Sequence, residues 1–152
     1  MIFGRRRAPS STPVALSTAD ATHREEDLSP QVKDFALFAL AHGVDCVPDG
    51  GGSMPPFVMV ETAAGKSLVR FVGVDDPLPA MRNHVAASGG VRAAMVWDGY
   101  LTDEGERRDA IFVEASDAGC GSVVLAHRYA QSGTGAQVIG RPMLISLGQP
   151  IL

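Results

Sequence analysis

From Val91 to Ala130 the chain alternates apolar and polar residues through VRAAMVWDGYLTDEGERRDAIFVEASDAGCGSVVLAHRYA, broken only by two short turn sequences. A period of two belongs to strands, whose successive side chains point to opposite faces. The stretch therefore predicts three antiparallel strands in a meander. Asp103-Glu104-Gly105 fits a three-residue hairpin loop that closes on a left-handed glycine. That loop sets an expected register in which Trp97 faces Ile111, Met95 faces Val113 and Asp98 faces Ala110. The third strand starts near Ser122, after a turn with two glycines, Gly119 and Gly121. Keeping the apolar sets together pairs Val113 with Leu125, Ile111 with His127 and Ala110 with Arg128. Asp98, Ala110 and Arg128 then share one row. The outer two lie roughly 9.6 Å apart, at about 4.8 Å per strand. An Asp98–Arg128 contact is expected across the small alanine, read as a structural ion pair worth about 0.2–1 kcal/mol.

Upstream, Ser29 and Pro30 supply an N-cap and a first helical residue, and Gly43 supplies a stop, so a helix is predicted between them. From Phe35 onward this helix is apolar nearly all round, which requires cover on more than one side. A second subunit would provide it, and a homodimer is expected for that reason. Cys46 to Pro56, with Gly50-Gly51-Gly52 and Pro55-Pro56, reads as a connecting loop. FVMVET (57–62) and SLVRFVG (67–73) read as two strands joined by a turn at Ala63-Ala64-Gly65-Lys66. Gly65-Lys66-Ser67 has the form of the end of a phosphate-binding loop. Val60 stands where that motif needs a glycine, however, and a strand rather than a helix follows. Asp76-Pro77 repeats the helix-start signal, and a second helix to Ser88 is expected with a Leu78, Met81, Val85 stripe. After the meander, Gln137 to Leu147 reads as a last strand. Gly140 and Pro142 interrupt it and confine it to an edge or a bulge.

The expected fold is α+β: a mainly antiparallel sheet of about six strands with two helices, in the order α-β-β-α-β-β-β-β, the helices on one face. Residues 1–27 read as a flexible N-terminal arm, rich in Ser, Thr and Pro after Arg5-Arg6-Arg7, and 28–152 as a single domain. The arginines lack the apolar run of a secretory signal.

Several function classes recede on composition. A net charge of −4 leaves no basic footprint for nucleic acid. No apolar run approaches the length of a membrane span. Cys46 and Cys120 belong to no zinc or redox spacing and read as free thiols in a reducing compartment, the cytoplasm, although a disulfide between them stays open. No nucleophile elbow and no histidine pair at metal spacing occurs, so neither a metal nor a cofactor is expected, and the balance leans away from an enzyme. Two readings remain. The favoured one is a non-enzymatic association or scaffold domain, a homodimer or complex subunit that meets its partner through the apolar first helix or a sheet edge. The other is a small-ligand binder or enzyme with a polar site at the sheet end, drawn from Asp98, Tyr100, Asp109, His127, Arg128 and Tyr129. Asp109, His127 and Tyr129 carry its acid–base chemistry.

Overall fold

A computed structural model describes residues 28–152; the arm expected over 1–27 lies outside them. The elements run α1 (Pro30–Asp45), β1 (Phe57–Thr62), β2 (Gly65–Arg70), α2 (Pro77–Ala87), β3 (Arg92–Asp103), β4 (Glu106–Asp117), β5 (Ser122–Ser132) and β6 (Gly135–Gly148). The order α-β-β-α-β-β-β-β and the α+β class are those the sequence predicts. The six strands form one antiparallel sheet in the order β2-β1-β3-β4-β5-β6. β2 and β3 run parallel on either side of β1, and α2 makes the crossover between them.

The register of the central hairpin differs from the expected one by one residue. Trp97 lies opposite Phe112, Val96 opposite Val113 and Asp98 opposite Ile111, while Asp103 pairs with Glu106. The loop is thus only Glu104-Gly105. Both residues have positive φ, 50° and 80°, as a two-residue type I′ turn requires. The β4–β5 register is as expected, with Val113 opposite Leu125, Ile111 opposite His127 and Ala110 opposite Arg128. Gly99, not Asp98, therefore shares the row of Ala110 and Arg128.

This register sorts the side chains into two cores, one on each side of the sheet. Phe57, Met59, Ala94, Val96, Ile111, Val113 and Tyr129 pack beneath Val32, Phe35, Ala36, Ala39 and Leu40 of α1. Val58, Val60, Met95, Trp97, Phe112 and Ala126 pack on the other side with Met81 and Val85 of α2 and Ile151 of the C-terminal tail. The two helices lie on opposite faces, which corrects the expectation that they share one. The crossover explains it: α1 and α2 precede different strands, and both faces of β3 and β4 are apolar enough to need cover.

Helix α1 starts as predicted. Ser29 Oγ accepts the Val32 amide at 3.0 Å, and the same hydroxyl donates to Asp117 Oδ2 at 2.6 Å, joining the cap to the sheet. Its end differs, because α1 runs through Gly43 to Asp45 with Cys46 as the C-cap. Gly43 is buried in the last turn, where an added Cβ would meet Val96 Cγ1 at 2.7 Å and Ile111 Cγ2 at 2.9 Å. The glycine sets how close the helix lies to the sheet rather than where the helix stops. Helix α2 has Asp76 at its N-cap position, but this side chain makes no cap hydrogen bond. Strand β2 ends at Arg70, so residues 71–76 form a loop where the sequence suggested strand to Gly73. Strand β6 is the predicted irregular edge, with register shifts on either side of Leu125 and Ala126 and Gly140 at φ 69°.

Two opposed effects meet in Gly43→Ala. Helix propensity favours alanine by about 0.5–1 kcal/mol, but contact with two β-branched side chains costs about 1–3 kcal/mol. The clash dominates, so urea denaturation should show a less stable protein. Glu104→Asn works the other way. Asparagine tolerates the left-handed region better than glutamate, and the same assay should show a gain of about 0.5–1 kcal/mol.

Candidate functional site

Strand β1 begins at Phe57, opposite Val96, so β3 loses its neighbour on that side from Trp97 onward. The loop before β1 and the loop after β2 flank this opening. They enclose a cleft of about 450 Å³ lined by Ser53–Pro56, Phe71–Asp75, Trp97 and Asp98. The two walls are tied together, since the Phe71 amide donates to the Pro56 carbonyl at 2.9 Å. Phe71 also sets its ring edge-on to His84 of α2, 5.8 Å between centroids.

Asp98 anchors the cleft from the α1 side of the sheet. Its buried carboxylate accepts the Met54 amide at 2.9 Å and the Tyr129 hydroxyl at 3.0 Å to each oxygen. The 46–56 loop, read from sequence as a connector, is thereby fastened to β3 and β5. Gln131 Nε2 adds a second tie, donating to the Gly52 carbonyl at 3.1 Å. On the opposite face Trp97 stacks on Phe112, centroids 5.5 Å apart with 8° between planes. Its indole N–H is buried and has no hydrogen-bond partner.

The six residues expected at the sheet end divide between the two faces. Asp98, Tyr100, Asp109, His127 and Tyr129 share the α1 side. Tyr100 and Tyr129 both lie opposite Asp109, and Arg107 lies over the Tyr100 ring at 4.1 Å. Arg128 points to the other face and pairs with Asp103, so the expected Asp98–Arg128 contact does not form. The one-residue register difference is the cause: it moves Asp98 to the face opposite Arg128. Trp97 likewise moves away from His127. Within the proposed acid–base trio, His127 Nε2 donates to the Gly140 carbonyl at 2.9 Å and Tyr129 Oη donates to Asp98. Both proton-bearing atoms thus already serve the fold. Trp97 and the loop residues that complete the cleft escaped sequence reading, because nothing local marks where β1 starts relative to β3.

Two other groups bear on function. Cys46 Sγ lies 3.7 Å from His42 Nε2 and 3.9 Å from an Arg70 guanidinium nitrogen. Cys46 is half-buried and Cys120 exposed, both as free thiols. The second group is the outer side of α1. Leu37 and Phe38 are 44% and 56% exposed, with Ala41 exposed one turn on. Leu37 also borders a groove of about 220 Å³ between α1 and the β5–β6 edge, walled by Leu28, Lys33, Val123, Leu125, Pro142 and Leu144. Among the described residues no group of three or more His, Cys, Asp or Glu is placed to hold a metal ion, and no helix is long and apolar enough to cross a membrane.

Comparison with known proteins gives no match to any family model, any curated protein or any solved structure.

The Asp98 node has a measurable weight. Asp98→Ala orphans the Met54 amide and the Tyr129 hydroxyl and should cost about 2–4 kcal/mol, against about 1–2 kcal/mol for Tyr129→Phe. Urea denaturation reads both. A neutral or stabilising Asp98→Ala would mean that burying the carboxylate costs more than its hydrogen bonds return.

Proposed function

We propose that this chain is a non-enzymatic association domain that forms a homodimer through the outer side of α1. The observation that carries the reading is Phe38: a large aromatic ring more than half exposed on a helix whose inner side is fully used by the core. An isologous pair needs a surface that complements itself. Phe38 offers a knob, and the groove bordered by Leu37 offers an apolar seat for the Phe38 of a second copy. A polar pair suits the same arrangement. Helices packed antiparallel about Phe38 set position 34 against position 42, which brings Asp34 toward His42 of the other copy.

Free thiols at Cys46 and Cys120 suit a reducing compartment and support a cytoplasmic setting. The competing reading, a polar ligand or catalytic site around Asp109, His127 and Tyr129, has less behind it, since His127 and Tyr129 spend their protons on Gly140 and Asp98.

Sedimentation velocity of the wild type and Phe38→Glu tests the proposal. The wild type should sediment as a dimer across the micromolar range. Each phenyl ring withdrawn from an interface removes about 1.5–3 kcal/mol, so with two per dimer the variant should associate at least about 100-fold more weakly. Its thermal unfolding as a monomer should be unchanged, because the ring lies outside the core. A monomeric wild type, or a variant that dimerises equally well, overturns the proposal.

A further inference from the structure

Strand β2 is one edge of the sheet, and among the described residues no segment pairs with its outer side. We propose that this edge accepts an acidic peptide as an added antiparallel strand, on a surface independent of the outer side of α1. The backbone fixes which groups it offers. The Phe71 amide donates to the Pro56 carbonyl, and these two residues continue the β1–β2 register, in which Phe57 faces Arg70. Hydrogen-bonded and non-bonded pairs alternate along an antiparallel ladder. Val58 with Val69 and Val60 with Ser67 are therefore bonded pairs, and Lys66, Leu68 and Arg70 turn their N–H and C=O groups away from the sheet. The opposite edge, β6, is blunted by register shifts, by Gly140 at φ 69° and by Pro142. Strand β2 carries no proline and no bulge. An edge without those devices is the one that a further strand can extend.

The two guards that β2 does carry, Lys66 and Arg70, select the partner. With Leu68 they face the α1 side of the sheet, opposite Glu61, Phe57 and Met59. Leu68 packs on the core there, and both cations are exposed. Lys66 Nζ is 4.0 Å from Glu61, a loose pair, and the Arg70 guanidinium meets the Cys46 thiol at 3.9 Å but no carboxylate among the described residues. A second copy pairing antiparallel about Leu68 sets Lys66 against Arg70 twice, and like charges directly opposite destabilise a strand pair. Carboxylates at those positions have the reverse effect. The fitting partner is an extended segment with an apolar residue to oppose Leu68 and an acidic residue two positions to either side.

The test uses the ¹⁵N-labelled full chain and the peptide acetyl-Thr-Glu-Thr-Leu-Thr-Glu-Thr-amide, with a counterpart that has lysine in place of glutamate. In the free protein the amides of 66, 68 and 70 should exchange quickly with solvent, and those of 67 and 69 slowly. The acidic peptide, titrated into the millimolar range, should slow exchange at 66, 68 and 70 and bind about tenfold more tightly than the basic one. N-methylation of the central leucine, whose amide faces β2, should abolish binding, whereas N-methylation of the threonine beside it, whose amide faces away, should not. In the double variant Lys66→Glu with Arg70→Glu the preference should reverse. Both side chains are exposed, so the fold tolerates the change. Edge amides already protected in the free chain, no slowing at 66, 68 and 70 with the acidic peptide, binding indifferent to methylation of the leucine, or an unchanged preference in the double variant overturns the proposal.

Discussion

The type I′ turn at Glu104-Gly105 is the constraint on which the rest of this structure depends. A two-residue loop that needs positive φ at both positions leaves the flanking strands one way to pair. It sets Trp97 against Phe112 and Asp98 against Ile111. Every lateral neighbour follows, since β1 is registered on β3 and β5 on β4. Asp98 comes to lie under α1 within reach of Tyr129 and the 46–56 loop, and Trp97 comes to lie on the α2 side at the mouth of the cleft. A slip of one residue would exchange the two faces of β3 relative to β4. The buried carboxylate would then lose its donors.

Buried polar side chains tie remote segments to this framework on both faces. Asp98 does so on the α1 side. On the α2 side Glu114 accepts from Arg82 of α2 at 2.7 Å and from Ser122 of β5 at 2.8 Å, joining the crossover helix to the sheet. At the far end of β3, Arg92 bonds Glu61 at 2.8 Å and Asp117 at 2.7 Å, and Asp117 in turn holds the Ser29 cap of α1. Burial works against the Arg92 charge, but the two carboxylates outweigh it and hold the guanidinium above its ordinary pKa. Removing one partner from such a set costs more than the set contributes net, because it strands a desolvated charge. These side chains act chiefly by specifying which segment sits where.

How much of this was legible in the sequence depended on how each strand is buried. Strand β5 keeps polar residues at His127 and Arg128 between apolar ones, and its register against β4 was readable. Strand β3 is buried on both faces from Ala93 to Asp98, which removes the alternation that would have fixed its partner. Asp103-Glu104-Gly105 also admits two turns that differ by one residue, and the side-chain pattern did not separate them. Gly43 carried a similar ambiguity. A glycine near a helix end marks either a stop or a close approach, and only packing against Val96 and Ile111 tells which. The candidate site suffered from both problems. Arg128 lies beside Ala110 as expected, but the slip of β3 carries Asp98 to the Tyr129 face, and the cleft needs knowledge of where β1 starts.

The register of β3 on β4 is the claim on which the α1 surface, the Asp98 node and the cleft all rest. It is tested most directly by nuclear Overhauser contacts from the single indole ring of Trp97. The account predicts contacts to the Phe112 ring and to the cleft loops, with none to Ile111. Contacts from Trp97 to Ile111 and to the α1 core would contradict it, and would return the hairpin to a three-residue loop with its faces exchanged.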